Sequence, residues 1–219
     1  EAGVGSAVAA ALEAGTVARD ALFLQTKFTY QRGQDHRLPY DPGAPLSEQV
    51  AQSMASSLVH LGVDYVDSYV LHGPSRSSGL GGADWEVWRA MEALHGDGKA
   101  RLLGVSNVTL DQLASLCAEA EVTPAFVQNR CFAASGWDSA VRRLCRDNDI
   151  VYQGFSLLTA NGRELAAPSV TRIAAKTSMT RAQLVFRFAL EVGMLPLTGT
   201  TSPEHMREDL LCLDMQLDE

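Results

Sequence analysis

The chain has 219 residues, 46% of them hydrophobic, enough for one sizeable core, and no shift in composition marks a linker, so the sequence reads as a single domain over 1–219. A formal net charge of −8, with 18 Lys and Arg scattered along the chain, argues against a nucleic-acid partner. No apolar run approaches the roughly 20 residues that span a bilayer, and the opening stretch EAGVGSAVAAALEAG lacks the basic start of a secretory signal, so a cytoplasmic protein without a membrane partner is expected.

In chain order, a helix-like segment, EAGVGSAVAAAL, precedes the strand-like run LFLQTK (22–27). The long connection TYQRGQDHRLPYDPGAP (29–45) leads to SEQVAQSMASSLVHLG, where Val50, Met54, Leu58 and Leu61 fall at helical steps and Ser47 reads as the N-cap. The strand-like VDSYVLH (66–72) stops at His72 before Gly-Pro, and SSGLGGAD (77–84) reads as a flexible loop. ADWEVWRAMEALHGDGK places Trp85, Trp88, Met91 and Leu94 on one helical face, with Gly96 and Gly98 as a stop. Further strands are read at RLLGVSN (101–107), AFVQN (125–129), IVYQGFS (150–156) and MLPLTG (194–199), with amphipathic stretches between them.

Strands alternating with helices, and apolar on both faces, imply parallel β/α units. Polar residues sit at the carboxyl end of nearly every strand: Lys27, His72, Ser106 with Asn107, Gln128, Ser156, and Thr198 with Thr200. Such a ring fits a (β/α)8 barrel, whose site is built from many strand ends. A doubly wound sheet would gather its ligand contacts at one switch point after a glycine fingerprint, and no GxGxxG follows any strand here. Asp67, at the start of its strand, reads as structural, as does Asp64. Cys117, Cys131, Cys145 and Cys212 show no metal-ligand spacing and read as reduced, mostly buried thiols.

The ordered series FLQTKF, LGVDYVDSYVLHGP, WRAMEALHGDGKARLLGVSN, PAFVQN, GFSLL and LTGTTSPEHMRED resembles the aldo-keto reductase family from residue 1 to 213. The resemblance implies an α/β (β/α)8 barrel that binds NADP(H), and with it hydride transfer to the carbonyl of a small-molecule aldehyde or ketone. Lys27 and His72 match the family's catalytic lysine and histidine. Ser106, Asn107 and Gln128 match residues that hold the nicotinamide carboxamide. Phe155 matches the stacking aromatic, and Ser156, Leu157 and Leu158 the segment along the pyrophosphate. Gly199, Thr200, Thr201, His205, Glu208 and Asp209 match the adenosine end, where the helix after Thr200 turns its amino terminus to a phosphate.

Three departures accompany the resemblance. Family members often carry lysine where Gly199 stands and arginine where His205 stands, which leaves NAD(H) as an alternative cofactor. A bulky aromatic is often found where Gly73 stands, so a more open pocket is expected. Tyr30, Arg32 or Tyr40 of the 29–45 connection, with Arg76 and Phe132, either wall the substrate or sit on solvated loops. Finally, the family's proton-donating tyrosine and its partner aspartate would precede residue 1, along with the first strand-helix-strand. The expectation is a reductase whose numbered chain is inactive without them. The alternative is a non-catalytic nucleotide-binding or regulatory relative of the same fold.

Overall fold

A computed structural model describes residues 1–217 and divides them into two compact units, one of residues 1–126 and one from Val127 onward. The first unit starts with α1 (Ala2–Glu13), β1 (Gln25–Phe28), α2 (Leu46–Leu61) and β2 (Val66–Leu71). It continues through α3 (Gly82–Gly96), β3 (Ala100–Ser106) and α4 (Leu110–Glu119). The three strands are parallel and pair in chain order, with Lys27 opposite Val70 and Val70 opposite Gly104.

Every residue of β2 is buried, as a strand covered on both faces should be. The period of two then sorts its side chains. Lys27, Val70 and Gly104 share one face, and the same alternation carries that face on to His72 and Ser106. Gly104 is required there, because a Cβ would come within 3.0 Å of the Phe126 carbonyl and 3.1 Å of Val70.

Three sequence expectations need correction. Helix α2 begins at Leu46 with Pro45 as N-cap, not at Ser47. Ser47 instead donates its amide to Oε1 of Glu86 on α3, 3.1 Å away, so a neighbouring helix supplies the acceptor that a capping hydroxyl would have given. On α3 the buried face is Asp84, Val87, Trp88, Met91 and Glu92, while Trp85 and Leu94 are half-buried at its edge. The 77–84 loop is tied down: Nε2 of Gln112 donates to the Arg76 and Gly79 carbonyls at 3.0 and 2.8 Å.

At the amino ends of the strands, Asp67 accepts hydrogen bonds from Arg19 and from the Leu24 amide, each at 2.9 Å, which is the structural role read for it. Tyr65 lies between the Arg19 and Arg101 guanidinium groups, 4.1 and 4.0 Å from its ring centre.

The second unit carries β4 (Phe126–Arg130, whose first residue closes the first unit), α5 (Ser139–Asp147), β5 (Val151–Phe155), α6 (Gly162–Leu165) and α7 (Pro168–Thr177). It ends with α8 (Arg181–Glu191), β6 (Met194–Pro196) and α9 (Pro203–Leu211). Strands β5 and β6 are parallel. Cys131, Cys145 and Cys212 are buried and Cys117 half-buried, and all four are free thiols. Burial pushes the Cys117 thiol up. Among the described residues no helix is long and apolar enough to cross a membrane.

Candidate active site

In the first unit the carboxyl ends of β1, β2 and β3 bring Lys27, His72, Ser106 and Asn107 to one place. The Lys27 ammonium is half-buried, and burial lowers its pKa from the usual lysine value. Nζ has no hydrogen-bond or ion-pair partner among the described residues. A half-buried, unpaired cation is costly to the fold, and such groups concentrate at functional sites.

His72 lies directly after β2, where its backbone amide still donates to the Phe28 carbonyl at 2.8 Å. Its Nδ1 is 2.8 Å from the Thr29 hydroxyl, so Nε2 is the ring nitrogen left available. Burial and the Lys27 charge together hold its pKa below the ordinary histidine value, which keeps the ring neutral at pH 7.

Asn107 follows β3 in the left-handed region, with φ 52°. That conformation costs a non-glycine residue about 1 kcal/mol or more, and asparagine bears it best. Here the side chain repays the strain, because Nδ2 donates to the His72 carbonyl at 2.8 Å and to Oγ of Ser106 at 3.1 Å. One amide thus joins two strand ends, and its Oδ1 has no partner among the described residues.

A cleft of about 280 Å³ opens here, lined by Thr29, Tyr30, Arg32, His72, Gly73 and Asn107 among others. The 29–45 connection therefore contributes a wall and is not merely solvated. Tyr30 reaches the cleft but turns its hydroxyl to Oδ1 of Asp84, 3.0 Å away, and burial with that carboxylate raises its pKa. Tyr40 does not reach it. Its buried ring packs on Phe28, and its hydroxyl donates to the Thr29 carbonyl at 2.7 Å, so its role is structural. Arg76 is also outside the lining, its side chain running beside Gly81 with Cδ 3.3 Å from where a Cβ would sit.

In the second unit, Gln128 donates from Nε2 to Oε1 of Gln153 at 2.9 Å, and the Phe155 ring at the end of β5 lies 5.8 Å from the Arg130 guanidinium. Ser156 follows β5 at φ 57°, again a strained non-glycine residue at a strand end. A groove of about 180 Å³ runs between Ser156, Leu157 and Leu158 on one side and Leu197, Thr198 and Gly199 on the other.

Helix α9 follows in sequence, with Pro203 at its first turn and Ser202 accepting the His205 amide at 3.3 Å. Thr200 accepts the Ser202 amide at 3.1 Å, and Nδ1 of exposed His205 lies 3.5 Å from the same hydroxyl. Asp209 is engaged, accepting from the Thr198 hydroxyl at 2.6 Å. Glu208 gives its carbonyl to Gln183 at 3.0 Å, while Thr201 and Phe132 are exposed. No acidic side chain lines the groove, and the capped amino terminus of α9 follows a few residues after its last lining residue, Gly199, a feature that suits a phosphate-bearing ligand.

Sequence reasoning missed Asp84, Thr29 and Asn161. Asp84 is buried and accepts from Tyr30, from the Ser75 amide and hydroxyl, and from the Gly81 amide. Its only signal was an acid three residues into a helix start. Thr29 lies two residues after Lys27, on the same side of the strand by alternation. Asn161, 1% exposed, donates to the Cys131 and Leu157 carbonyls at 2.9 and 2.8 Å and accepts the Ala133 amide at 2.7 Å, tying together the turns after β4 and β5. No local pattern distinguishes it from an ordinary loop asparagine.

Parallel β/α units thus carry a lysine, a histidine and a Ser-Asn pair at successive strand ends, an arrangement that belongs to the barrel class of α/β folds. Residues 2–219 match the family model for the Aldo/keto reductase family, and the chain belongs to that family. It is 27% identical over 219 residues to an NADPH-dependent alpha-keto amide reductase of Saccharomyces cerevisiae, covering 92% of this chain and 64% of the yeast protein. It is 32% identical over 212 residues to an aldo-keto reductase of Mycobacterium tuberculosis, covering 97% of this chain and 69% of the relative. The structure superimposes on the crystal structure of an aldo/keto reductase from Brucella melitensis with a TM-score of 0.79 at 26% identity, covering 98% of this chain and 76% of that one. The chain thus spans between about two thirds and three quarters of the length of these relatives, and its fold is that of the (β/α)8 barrel reductases.

Proposed function

We propose that residues 1–219 act as one barrel domain that binds NADP(H), with NAD(H) as an alternative, and serves the reduction of a small aldehyde or ketone. The observation that carries this reading is the juxtaposition of an unpaired, half-buried Lys27 with a neutral His72 whose Nε2 is left available beside the cleft. NADPH dependence is a stated property of the yeast relative and supports the cofactor assignment.

A bound nicotinamide supplies the hydride. Ser106 and Asn107 would hold its carboxamide, with the partnerless Oδ1 of Asn107 as an acceptor for the amide, and the family match gives Gln128 the same role. By the same match Phe155 would stack on the ring, Ser156, Leu157 and Leu158 would follow the pyrophosphate, Gly199, Thr200, Thr201 and His205 would meet the adenosine phosphate, and Glu208 and Asp209 would lie toward the base. In the tautomer in which the Thr29 hydroxyl donates to Nδ1, the Nε2–H of His72 donates to the substrate carbonyl. That contact orients the carbonyl and stabilises the negative charge developing on its oxygen. The Lys27 charge lowers the pKa of a phenol placed beside it.

None of the tyrosines in this chain is such a phenol. Tyr30, Tyr40 and Tyr152 donate to Asp84, to the Thr29 carbonyl and to Asp138. Tyr69 is fully buried, with its hydroxyl pKa raised mainly by burial, and Tyr65 sits at the other end of the strands. We infer that the proton donor comes from elsewhere in the parent polypeptide.

The test is a fluorescence titration with NADPH and NADH, followed by NADPH oxidation with 4-nitrobenzaldehyde. Saturable binding with negligible turnover by residues 1–219, and turnover by the parent polypeptide, is expected. Binding without turnover by either would favour the nucleotide-binding reading, and absence of binding by folded protein would remove the cofactor assignment.

A further inference from the structure

The cleft beside His72 contains one permanent charge that the chemistry above does not use. Neither Asp nor Glu lines it, and His72 is neutral, so Arg32 is the one fixed charge in its described wall. Nη2 of Arg32 donates across the cleft to the Pro74 carbonyl at 2.8 Å, while Nη1 and Nε have no partner among the described residues.

The turn that carries Arg32 is anchored on both sides. The Gly33 amide donates to the Tyr30 carbonyl at 2.8 Å, the Tyr30 hydroxyl to Asp84 at 3.0 Å, and the Tyr40 hydroxyl to the Thr29 carbonyl at 2.7 Å. The nearby Asp84 carboxylate is already saturated by Tyr30, Ser75 and Gly81. The guanidinium is therefore pre-positioned and has no ion-pair partner among the described residues, and the N–H groups of Nη1 and Nε, with the second N–H of Nη2, remain to meet a carboxylate. Opposite it, Gly73 leaves the mouth of the cleft open.

We propose that this cleft takes a carbonyl compound that also bears a carboxylate, with Arg32 gripping the carboxylate while the carbonyl lies at Nε2 of His72. The proposal deepens the reductase reading and rests on it for the place of the carbonyl, but its test does not need turnover. Binding of 4-(hydroxymethyl)benzoate, the alcohol that such a reduction would produce, and of its neutral methyl ester is measured by calorimetry with and without NADP+.

In the unaltered chain the carboxylate should bind at least about tenfold more tightly than the ester, the size of one charge-assisted hydrogen bond, and added salt should weaken only the carboxylate. Arg32→Met, with its fold checked by circular dichroism, should bring the two affinities together, and Arg32→Lys should restore part of the gap. Equal affinity of the two compounds in the unaltered chain overturns the proposal, as does failure of both to bind, or a carboxylate advantage that survives in Arg32→Met. Loss of NADPH binding or turnover bears on the reductase reading alone.

Discussion

The Thr29 hydroxyl lies 2.8 Å from Nδ1 of His72, so the residue two places after the lysine of one strand fixes the ring that ends the next. The contact holds the ring of His72 through a side chain that sequence pattern alone would not single out, and the hydroxyl donates in the tautomer that carries its proton on Nε2. Nitrogen-15 spectra should show the neutral ring protonated at Nε2. Thr29→Val should mix the tautomers and lower turnover by the parent polypeptide by roughly three- to tenfold, the scale of one neutral hydrogen bond. An unchanged tautomer in that variant would separate Thr29 from the orientation of His72.

Lys27 and His72 are coupled through charge as well as position. Burial is the larger cause of the lowered His72 pKa and the Lys27 ammonium the second. Lys27→Met should therefore raise the His72 pKa, while burial still holds it below the usual 6.5. A titration of the His72 ring proton by NMR reads this directly, and a pKa that falls or stays fixed would contradict the coupling. The sign of the stability effect follows. Below pH 6.5 the unfolded chain takes up the His72 proton more readily than the folded one, so this group's contribution is present above that pH and is lost as pH falls through the folded pKa.

Cofactor preference should be weak. Gly199 and exposed His205 bring no permanent positive charge to the start of α9, and one charge-assisted phosphate contact is worth about 1.5–3 kcal/mol. NADPH should be favoured over NADH by less than about a hundredfold, because little beyond one such contact is on offer. A Cβ at Gly199 would meet nothing within 4 Å, so Gly199→Lys fits without strain and should widen the preference, as should His205→Arg. A much larger preference in the unaltered chain would mean that another cation, such as Arg207, holds the 2′-phosphate.

Helix α1 packs against the end of α2 through Gly5, where a Cβ would collide with the backbone carbonyl of His60. Backbone cannot swing aside as a side chain can. Gly5→Ala should destabilise the protein by about 1–3 kcal/mol, even though alanine is the better helix former. Thermal unfolding checks it, and a stabilised variant would show that the two helices do not approach this closely in solution.

The sequence made most of this arrangement legible, for physical reasons that differ from residue to residue. Strands buried on both faces are continuous apolar runs, so a Lys27 or a His72 at the end of one stands out by contrast. The α9 amino terminus could be read from Ser202-Pro203, because capping is a local chemistry. Ser47 misled for the complementary reason: the acceptor at the start of α2 is Glu86, 39 residues away, and nothing local records it. Tyr40 and Arg76 were placed on the right loops, but the direction of a loop side chain depends on tertiary partners, here the Thr29 carbonyl and Gly81. Asp84 was invisible as a hub because its donors come from three separate segments.

That hub makes the most exacting prediction. Asp84, 2% exposed, accepts the Tyr30 hydroxyl at 3.0 Å, the Ser75 hydroxyl at 2.9 Å and the Gly81 amide at 2.8 Å, besides the Ser75 amide. It thereby fixes both the segment after His72 and the turn that carries Arg32. Asp84→Ala strands these donors in the interior, and losing charge-assisted bonds worth about 1.5–3 kcal/mol each, partly rescued by water, should cost about 2–4 kcal/mol in urea unfolding. Asp84→Asn keeps the shape but turns one acceptor into a donor facing the Ser75 or Gly81 amide, so it should recover only part of that loss. In both variants hydrogen exchange at the Ser75 and Gly81 amides should quicken well beyond that of β2, because the damage is local to the loop. Uniform quickening across β2 and the loop would instead mark Asp84 as a general support of the fold, with no special hold on the cleft.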